Sequence, residues 1–337
     1  VDWALVDVAD VAEGIFKAAT TKGIHGKNYL LTSESYPISD VTLMLNNQAP
    51  KSEPKIIYQN DLAKKLRDLI PSCEKSIFLK TGSDATTAAV RIARGYTQKT
   101  KILRCGYHGW HDWCVEVKEG IPEKLYEDVF EFEYNNLEQV ETLVKENKNE
   151  IAAIIVTPVG HPLAGKVQMP NPDFLKGLRD ITNDSGSLLI FDEVRTGFRV
   201  NMGGAQKEFG ITPDLSVFGK AMGNGYPISC VVGKKEFMDI VENKVYVSST
   251  FFPNSMEMAA SLKTIDFMQK NNVLDDIKSK GSNFGKSVSQ IVEDSKIPCS
   301  LTGSPWMPYI TFDKDPEKKY KFWKKNLYFN SVYCFQR

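Results

Sequence analysis

Residues 187–199 of this chain read SLLIFDEVRTGFR, an apolar run that ends in two adjacent carboxylates, Asp192 and Glu193. The apolar part, residues 187–191, suits a strand that is buried on both faces, as the strands of a parallel sheet are. Residues 151–156 have the same character, and a segment with helical spacing lies between the two runs. This alternation predicts an α/β domain with a mostly parallel central sheet flanked by helices. Ligands of such sheets bind beyond the carboxyl ends of the strands, which is where Asp192 stands.

The same alternation extends along most of the chain. Further strands are predicted at residues 76–79, 101–104, 214–218, 228–232 and 308–312. Helices are predicted at residues 62–69, 85–96, 137–147, 173–183 and 254–269. Residues 46–54 are rich in turn formers, and we place a boundary near Asn60. Before that boundary we expect a helix at residues 8–19 and a strand at residues 27–32.

Composition excludes several classes of function. The chain has 337 residues, 42% of them hydrophobic, which is enough to bury a sizeable core. Its 42 basic and 42 acidic residues balance, so charge gives no argument for nucleic acid or an anionic membrane as a partner. No apolar stretch reaches the ~20 residues that span a bilayer. The six cysteines form no CxxC pair and the N-terminus has no signal pattern, so we expect a reduced, cytoplasmic protein without a metal site.

Two segments that follow predicted strands carry glycine, hydroxyl and aromatic groups. Residues 81–85 (TGSDA) open a helix, whose free N–H groups and dipole favour an anion. Gly82 and Ser83 are therefore candidates for binding a phosphate, although a plain N-cap is the alternative. In residues 105–111 (CGYHGWH), the glycines allow close approach of a flat ligand, and Tyr107 offers a face for stacking. An ordinary loop is the alternative there, since His108 and His111 lack further ligands for zinc.

Two further strand ends carry a carboxylate and an amine. Asp192 is costly to bury without a donor or a cation, which a protonated cofactor ring could provide; a salt bridge to Arg195 or Arg199 is the alternative. Lys220 follows the apolar residues 214–218 and stands among glycines. A lysine in a partly dry pocket has the lowered pKa that a Schiff-base amine needs, whereas a lone lysine at a strand end is more often a surface group.

Each of these four signals is weak alone, but together they match one cofactor. A phosphate-binding turn, a stacking aromatic, a carboxylate for a pyridinium nitrogen and a Schiff-base lysine are the protein groups that pyridoxal 5'-phosphate (PLP) requires. They occur in this order, each at a strand end.

The chain resembles the class III PLP-dependent aminotransferases, and within them the branch around glutamate-1-semialdehyde aminomutase. The resemblance covers about residues 61–312 and rests on the motifs TGSDA, GYHGW, FDEVRTGFR, GGAQ and residues 213–227. It implies the type I fold of PLP-dependent transferases with an incomplete small domain. Residues 61–300 would form the PLP-binding large domain, and residues 301–337 would begin the C-terminal small domain.

The resemblance also implies roles for individual residues. Lys220 would form the Schiff base and shuttle a proton, and Asp192 would pair with the ring nitrogen. Tyr107 and Val194 would stack on the two ring faces, with His108 beside them among the cofactor-binding residues. Gly82 and Ser83 would bind the phosphate. Thr250 would reach the phosphate of a neighbouring subunit, which implies a homodimer with interfacial active sites.

Besides the incomplete small domain, the resemblance has two departures. The family commonly carries Glu-Pro after the strand at residues 151–156, where this chain has Thr157 and Pro158. Residues 1–53 instead resemble the C-terminal region of extended short-chain dehydrogenases such as nucleotide-sugar epimerases, without the glycine-rich dinucleotide loop or the Tyr-Lys pair. We therefore treat residues 1–60 as a separate fragment and linker, against the alternative of a generic helix–strand unit.

The function that the resemblance implies is transfer of an amino group, by a transaminase or an aminomutase. The substrates would be small molecules: an amino acid, amino ketone or amino sugar precursor. One alternative is a catalytically impaired fusion or truncated remnant that keeps the PLP-binding fold as an interaction module. Another is a bifunctional fusion that joins epimerase and aminotransferase pieces.

Overall fold

A computed structural model describes residues 2–5, 34–37, 54–160, 167–252, 254–295, 299–304 and 307–312. Near the N-terminus, strands β1 (Asp2–Leu5) and β2 (Glu34–Pro37) pair in antiparallel orientation. The helix and the strand that the sequence predicts at residues 8–19 and 27–32 lie outside the described residues.

The central element of the described chain is a seven-stranded sheet. Its strands are β3 (Lys75–Leu79), β4 (Lys101–Cys105), β5 (Val129–Glu131), β6 (Ile151–Val156), β7 (Leu188–Asp192), β8 (Leu215–Phe218) and β9 (Ser229–Gly233). They are arranged in the order β3-β9-β8-β7-β6-β4-β5. Neighbouring strands are parallel except β9, which runs antiparallel to both β3 and β8. The prediction of a mostly parallel sheet is confirmed.

Helices surround this sheet. They are α1 (Pro54–Leu69), α2 (Gly82–Thr97), α3 (Leu137–Glu146), α4 (Phe174–Ser185), α5 (Ala205–Phe209), α6 (Lys235–Met238), α7 (Ile240–Asn243), α8 (Ser255–Lys270) and α9 (Val273–Ser295). Strands β10 (Cys299–Thr302) and β11 (Tyr309–Phe312) form a separate antiparallel pair.

Helix α1 begins eight residues before the predicted start at residue 62. The sequence predicts Pro54 to lie in a turn, but proline is also favoured at the first position of a helix, where its missing N–H needs no partner. Asn60 consequently lies inside α1. The division of the chain into domains near that residue stays a prediction.

The strands in the middle of the sheet are buried on both faces. Every residue of β6 and β7 is buried. Ile155 and Ile190 pack on the side of helix α2, whereas Ile154 and Leu189 pack on the side of α3 and α4. Alternate residues of a strand point to opposite faces, so an unbroken apolar run is what two covered faces require.

Helix α4 and strands β7 and β8 are joined by one buried carboxylate. Asp214 accepts a hydrogen bond from the backbone N–H of Leu189 at 2.7 Å and pairs with Arg179 at 2.9 Å. These contacts join the amino ends of β7 and β8, so the two strands that carry Asp192 and Lys220 at their other ends are held side by side. Within the part of the chain that the structure describes, no helix combines the length and the apolar character needed to cross a membrane.

Candidate active site

A cavity of about 140 Å³ lies at the carboxyl ends of the parallel strands. It is lined by Gly82, Ser83, Thr86, Tyr107, His108, Gly109, Thr157, Asp192, Val194, Arg195 and Lys220. Tyr107, Thr157 and Lys220 follow β4, β6 and β8, and Asp192 ends β7. Because these strands are parallel and adjacent, their ends meet at one edge of the sheet. Residues that are far apart in sequence are thereby gathered, as the strand-end positions predicted.

The turn before helix α2 forms one wall of the cavity. Thr81 is the N-cap: its Oγ1 accepts from the N–H of Asp84 at 3.1 Å, and the Asp84 carboxylate accepts from the N–H of Thr81 at 2.9 Å. This capping box fixes the first turn of α2. Gly82 and Ser83 follow directly and face the cavity. The turn is therefore both an N-cap and a wall of the cavity, so the two interpretations of the sequence do not exclude each other.

The loop of residues 105–111 lies so close to Ser83 that position 109 requires glycine. The N–H of Trp110 donates to Ser83 Oγ at 3.3 Å. A Cβ at Gly109 would lie 2.4 Å from the same oxygen, and the φ of Gly109 is +122°, a region that other residues rarely adopt. Thr86, one turn after Ser83, donates to the carbonyl of His108 at 2.5 Å. Sequence reasoning missed Thr86, although its i+3 spacing from Ser83 places the two on one helix face.

Asp192 is bound by His108 and not by an arginine. Its Oδ2 lies 2.8 Å from His108 Nδ1, and its Oδ1 accepts from the N–H of Val194 at 3.1 Å. Both side chains are buried, with His108 1% and Asp192 4% exposed. Among the described residues, no ion pair joins Asp192 to Arg195 or Arg199, so the salt bridge considered from the sequence is not formed. Nε2 of His108 is buried and has no partner in the described part of the chain.

Lys220 begins a single 3-10 turn after β8 and lies in an unusual backbone conformation. Its φ is +43°, a left-handed value that is strained for a residue with a side chain. The side chain is exposed because it reaches into the open cavity. The surrounding protein still removes enough water to lower its pKa, and the charges of Arg199 and Arg195 lower it further, while Asp192 opposes the shift. A lowered pKa leaves more of the amine neutral and nucleophilic.

Tyr107 and Val194 both line the cavity, as expected of residues that would flank a flat ligand. Val194 is buried, and its Cγ1 would lie 3.0 Å from a Cβ at Gly82. Glycine at position 82 thus lets the phosphate-binding turn and Val194 approach each other. The stacking of Tyr107 and Val194 on a cofactor ring stays a prediction.

Glu193 points away from the cavity. Its carboxylate is fully buried and accepts from Thr196 Oγ1 at 2.5 Å and from the backbone N–H groups of Ala205 and Gln206 at 2.8 and 3.0 Å. Burial raises the pKa of Glu193, and these hydrogen bonds oppose the rise. This carboxylate anchors the start of helix α5.

Two threonines, Thr157 and Thr250, remain to be compared with the sequence prediction. Thr157, at the position where Glu-Pro was expected, lines the cavity, and its Oγ1 is buried without a partner among the described residues. Thr250 is exposed and does not line the cavity. Its predicted contact with a phosphate requires a second chain and stays a prediction.

The sequence matches a family profile described as aminotransferase class-III over residues 40–328. It is 56% identical to the 3-aminobutyryl-CoA aminotransferase of Cloacimonas acidaminovorans over 270 residues, which cover 80% of this chain and 65% of that protein. It is 41% identical to the glutamate-1-semialdehyde 2,1-aminomutase of Sulfurisphaera tokodaii over 251 residues, which cover 70% of this chain and 58% of that protein. The chain thus spans less than two thirds of the length of these curated relatives.

Solved structures of transaminases have a similar fold. The PLP-containing FumI protein of Sphingopyxis sp. MTA144 superposes with a TM-score of 0.79 at 27% identity, covering 89% of this chain and 74% of that one. An omega-transaminase from Sphaerobacter thermophilus gives a TM-score of 0.71 at 26% identity, covering 89% and 72%.

Proposed function

The chain belongs to the class III aminotransferase family, and from that premise we propose that it transfers amino groups with pyridoxal phosphate held by Lys220. The family and its PLP-containing structural relatives indicate this cofactor. The observation that carries the proposal is that Lys220, Asp192 and the Gly82–Ser83 turn line one cavity although they are far apart in sequence.

The residues of the cavity fit the groups of the cofactor. Gly82 and Ser83 lie at the start of a 16-residue helix, where a phosphate is favoured, and a Cβ at Gly82 would crowd Val194. Asp192 offers a carboxylate for the ring nitrogen. Lys220 offers an amine with a lowered pKa for the aldehyde carbon. When bound, pyridoxal phosphate supplies an electron sink that lets the carbon bearing the substrate amino group lose a proton.

The protein's own groups would then position the reaction and move the proton. Nζ of Lys220, once released from the cofactor, would take the proton from the substrate carbon as a general base. The bonds from His108 Nδ1 and from the N–H of Val194 fix the Asp192 carboxylate in its orientation. Tyr107 and Val194 would hold the ring between them and limit access of water.

We propose a transaminase reaction, in which the ketone product leaves and a second substrate enters, rather than an aminomutase reaction. The 56% identity to a 3-aminobutyryl-CoA aminotransferase exceeds the 36% and 41% identities to two archaeal aminomutases. A 3-amino acyl thioester is accordingly the first substrate to test, beside free amino acids, amino ketones and amino sugar precursors. The impaired-remnant alternative is disfavoured because the groups that PLP needs lie together in one cavity.

We further propose a cytoplasmic homodimer in which Thr250 reaches the partner's cavity. The exposed position of Thr250 supports this arrangement. Free, buried cysteines at positions 73, 105, 114 and 230 are compatible with a reducing compartment. Residues 1–53 would be the segment that resembles the end of a short-chain dehydrogenase, and the family match includes residues 40–53 of it.

Absorbance spectroscopy tests the proposal. Purified protein supplied with PLP should show a visible band, Lys220→Ala should abolish that band, and the control Lys64→Ala, at an exposed position of α1, should keep it. Adding 3-aminobutyryl-CoA should convert the visible band to that of the aminated cofactor. A wild-type protein that stays colourless with excess PLP would refute the proposal, and a coloured protein that no amino donor converts would favour the remnant.

A further inference from the structure

Arg195 is a charged cavity residue that the reaction described above does not use. It lines the same cavity as Lys220 and Asp192 and is half-buried. Its Nη1 donates to the carbonyl of Gly160 at 2.9 Å. A guanidinium has five N–H donors. Among the hydrogen bonds and ion pairs of the described residues, this bond is the one that Arg195 makes, so most of its donors are available to a ligand.

Among the described residues, no carboxylate pairs with Arg195. Asp192 is the one carboxylate among the lining residues, and it is engaged by His108 and by the N–H of Val194. Glu193 is directed to helix α5. Thr157, at the position where the family commonly carries glutamate, is neutral. The part of the lining that carries Arg195 is therefore positive and suits an anionic or strongly polar oxygen.

The guanidinium keeps its charge at neutral pH despite this setting. Burial and the nearby charge of Arg199 lower the pKa of Arg195 to about 10, and Tyr309 opposes the shift. Burial and the charge of Arg199 thus both disfavour the charged guanidinium, and Tyr309 offsets only part of that cost. A ligand oxygen on Arg195 would offset that cost.

We propose that Arg195 is a specificity-determining residue whose guanidinium binds an acyl oxygen of the amino donor. This inference rests on the proposed function and deepens it by naming the group that the site recognises. Since the proposed function assigns the cofactor phosphate to Gly82 and Ser83, Arg195 is left for the substrate. Because Arg195 shares a small cavity with Lys220, the oxygen that it binds lies within a few bonds of the amino group. A carboxylate and a thioester carbonyl share this chemistry.

Three amino donors that share a four-carbon chain with the amino group on a secondary carbon distinguish the two sources of that oxygen. 3-Aminobutyrate carries a carboxylate, 3-aminobutyryl-CoA carries a thioester carbonyl, and sec-butylamine carries neither. The variants are Arg195→Gln and Arg195→Lys, with Arg67→Lys on the exposed face of α1 as control. Hydrogen bonds to charged groups account for roughly tenfold to a hundredfold in affinity. We expect Arg195→Gln to lower kcat/KM by that factor for at least one acyl donor, to leave sec-butylamine within about twofold, and Arg195→Lys to recover part of the loss.

A loss confined to 3-aminobutyrate would identify the carboxylate as the ligand, and a loss confined to the CoA ester would identify the thioester. Equal losses with all three donors would show a structural role and overturn the proposal, as would no loss with any donor.

Calorimetry on the PLP-loaded protein measures binding of the acyl oxygen independently of turnover. Butyrate and butyryl-CoA carry the acyl oxygen but no amino group, so their dissociation constants report recognition alone. We expect at least one of them to rise about tenfold or more in Arg195→Gln. Unchanged constants in an active enzyme would overturn the role of Arg195. Arg195-dependent binding in a wild-type protein that transfers no amino group would instead refute the proposed function and leave the recognition of the acyl oxygen standing.

Discussion

Asp192 and Glu193 are neighbours at the end of β7, but their carboxylates enter two different regions of the molecule. Asp192 faces the cavity and is bound by His108 and one backbone N–H. Glu193 faces the start of α5 and accepts from a hydroxyl and two backbone N–H groups. A Cβ at Gly204 would lie 2.6 Å from Glu193, so the chain closes tightly around the second carboxylate and leaves space beside the first.

The different surroundings of these two carboxylates show that burial alone does not identify the one that faces a ligand cavity. Glu193 is the more deeply buried of the two, and its donors serve to hold a helix in place. Asp192 is almost as buried, yet it borders a space that a ligand can occupy. The two residues should therefore respond oppositely to substitution, one losing activity and the other losing stability.

Replacing Asp192 should have the largest effect. Asp192→Asn keeps the size of the side chain and removes its charge, so it should lower kcat by about a hundredfold to a thousandfold, the loss typical of removing one group that stabilises the transition state. The melting temperature should change little. Single-turnover conversion of the bound cofactor measures the first quantity, and thermal unfolding measures the second. A variant that retains full activity would show that the cavity carboxylate is not needed.

Replacing Glu193 should mainly reduce the free energy of unfolding. Glu193→Ala leaves a buried hydroxyl and two buried N–H groups without their acceptor, which should cost about 3 kcal/mol, whereas Glu193→Gln keeps one acceptor oxygen and should cost less. Urea unfolding of the three proteins tests this order. Activity per folded molecule should remain close to wild type. If Glu193→Ala were stable but inactive, the division of roles between the two carboxylates would be wrong.

The strand ends were predictable from the sequence because they follow short apolar runs. The boundaries of β6 agree with the prediction to the residue, and Asp192 and Lys220 reach the predicted edge of the sheet. Spacing alone could not show that His108 binds Asp192, because 84 residues separate them. It also could not show that β9 inserts in antiparallel orientation between β3 and β8, since an apolar strand looks the same in either direction.

The sequence prediction missed the long helix α9 and several short elements. Strand β5 has three residues and no complete alternation, and helix α5 has five residues and depends on the distant Glu193 for its first turn. Such elements are fixed by tertiary contacts more than by local pattern. Arg195 was considered as a partner of Asp192, but its hydrogen bond goes to Gly160, which no sequence pattern indicates.

The smallest expected effect concerns the pH at which Lys220 reacts. The amine must lose its proton to attach PLP, so the attachment rate to apoprotein should rise with pH through the pKa of Lys220. Burial places that midpoint below the ordinary lysine value of 10.5. Asp192→Asn removes a charge that raises this pKa and should move the midpoint down, whereas Arg199→Gln removes a charge that lowers it and should move the midpoint up.

Glu193→Gln is the matched control for these rate profiles, because its carboxylate faces α5 and should leave the midpoint unchanged. Stopped-flow absorbance across the pH range gives the midpoints of the wild type and of the three variants. Shifts of the same sign in Asp192→Asn and Arg199→Gln would contradict the arrangement of charges around Lys220.

Chemical trapping of the cofactor tests most directly that Lys220 is the residue that holds it. Borohydride reduction of the PLP-loaded protein fixes the cofactor to whichever lysine carries it, and mass spectrometry of the digested chain locates that lysine. We expect the reduced cofactor on the peptide that contains Lys220, and no labelled peptide from Lys220→Ala. Label on a different lysine of the wild-type protein, or bound cofactor that reduction leaves unattached, would contradict the account.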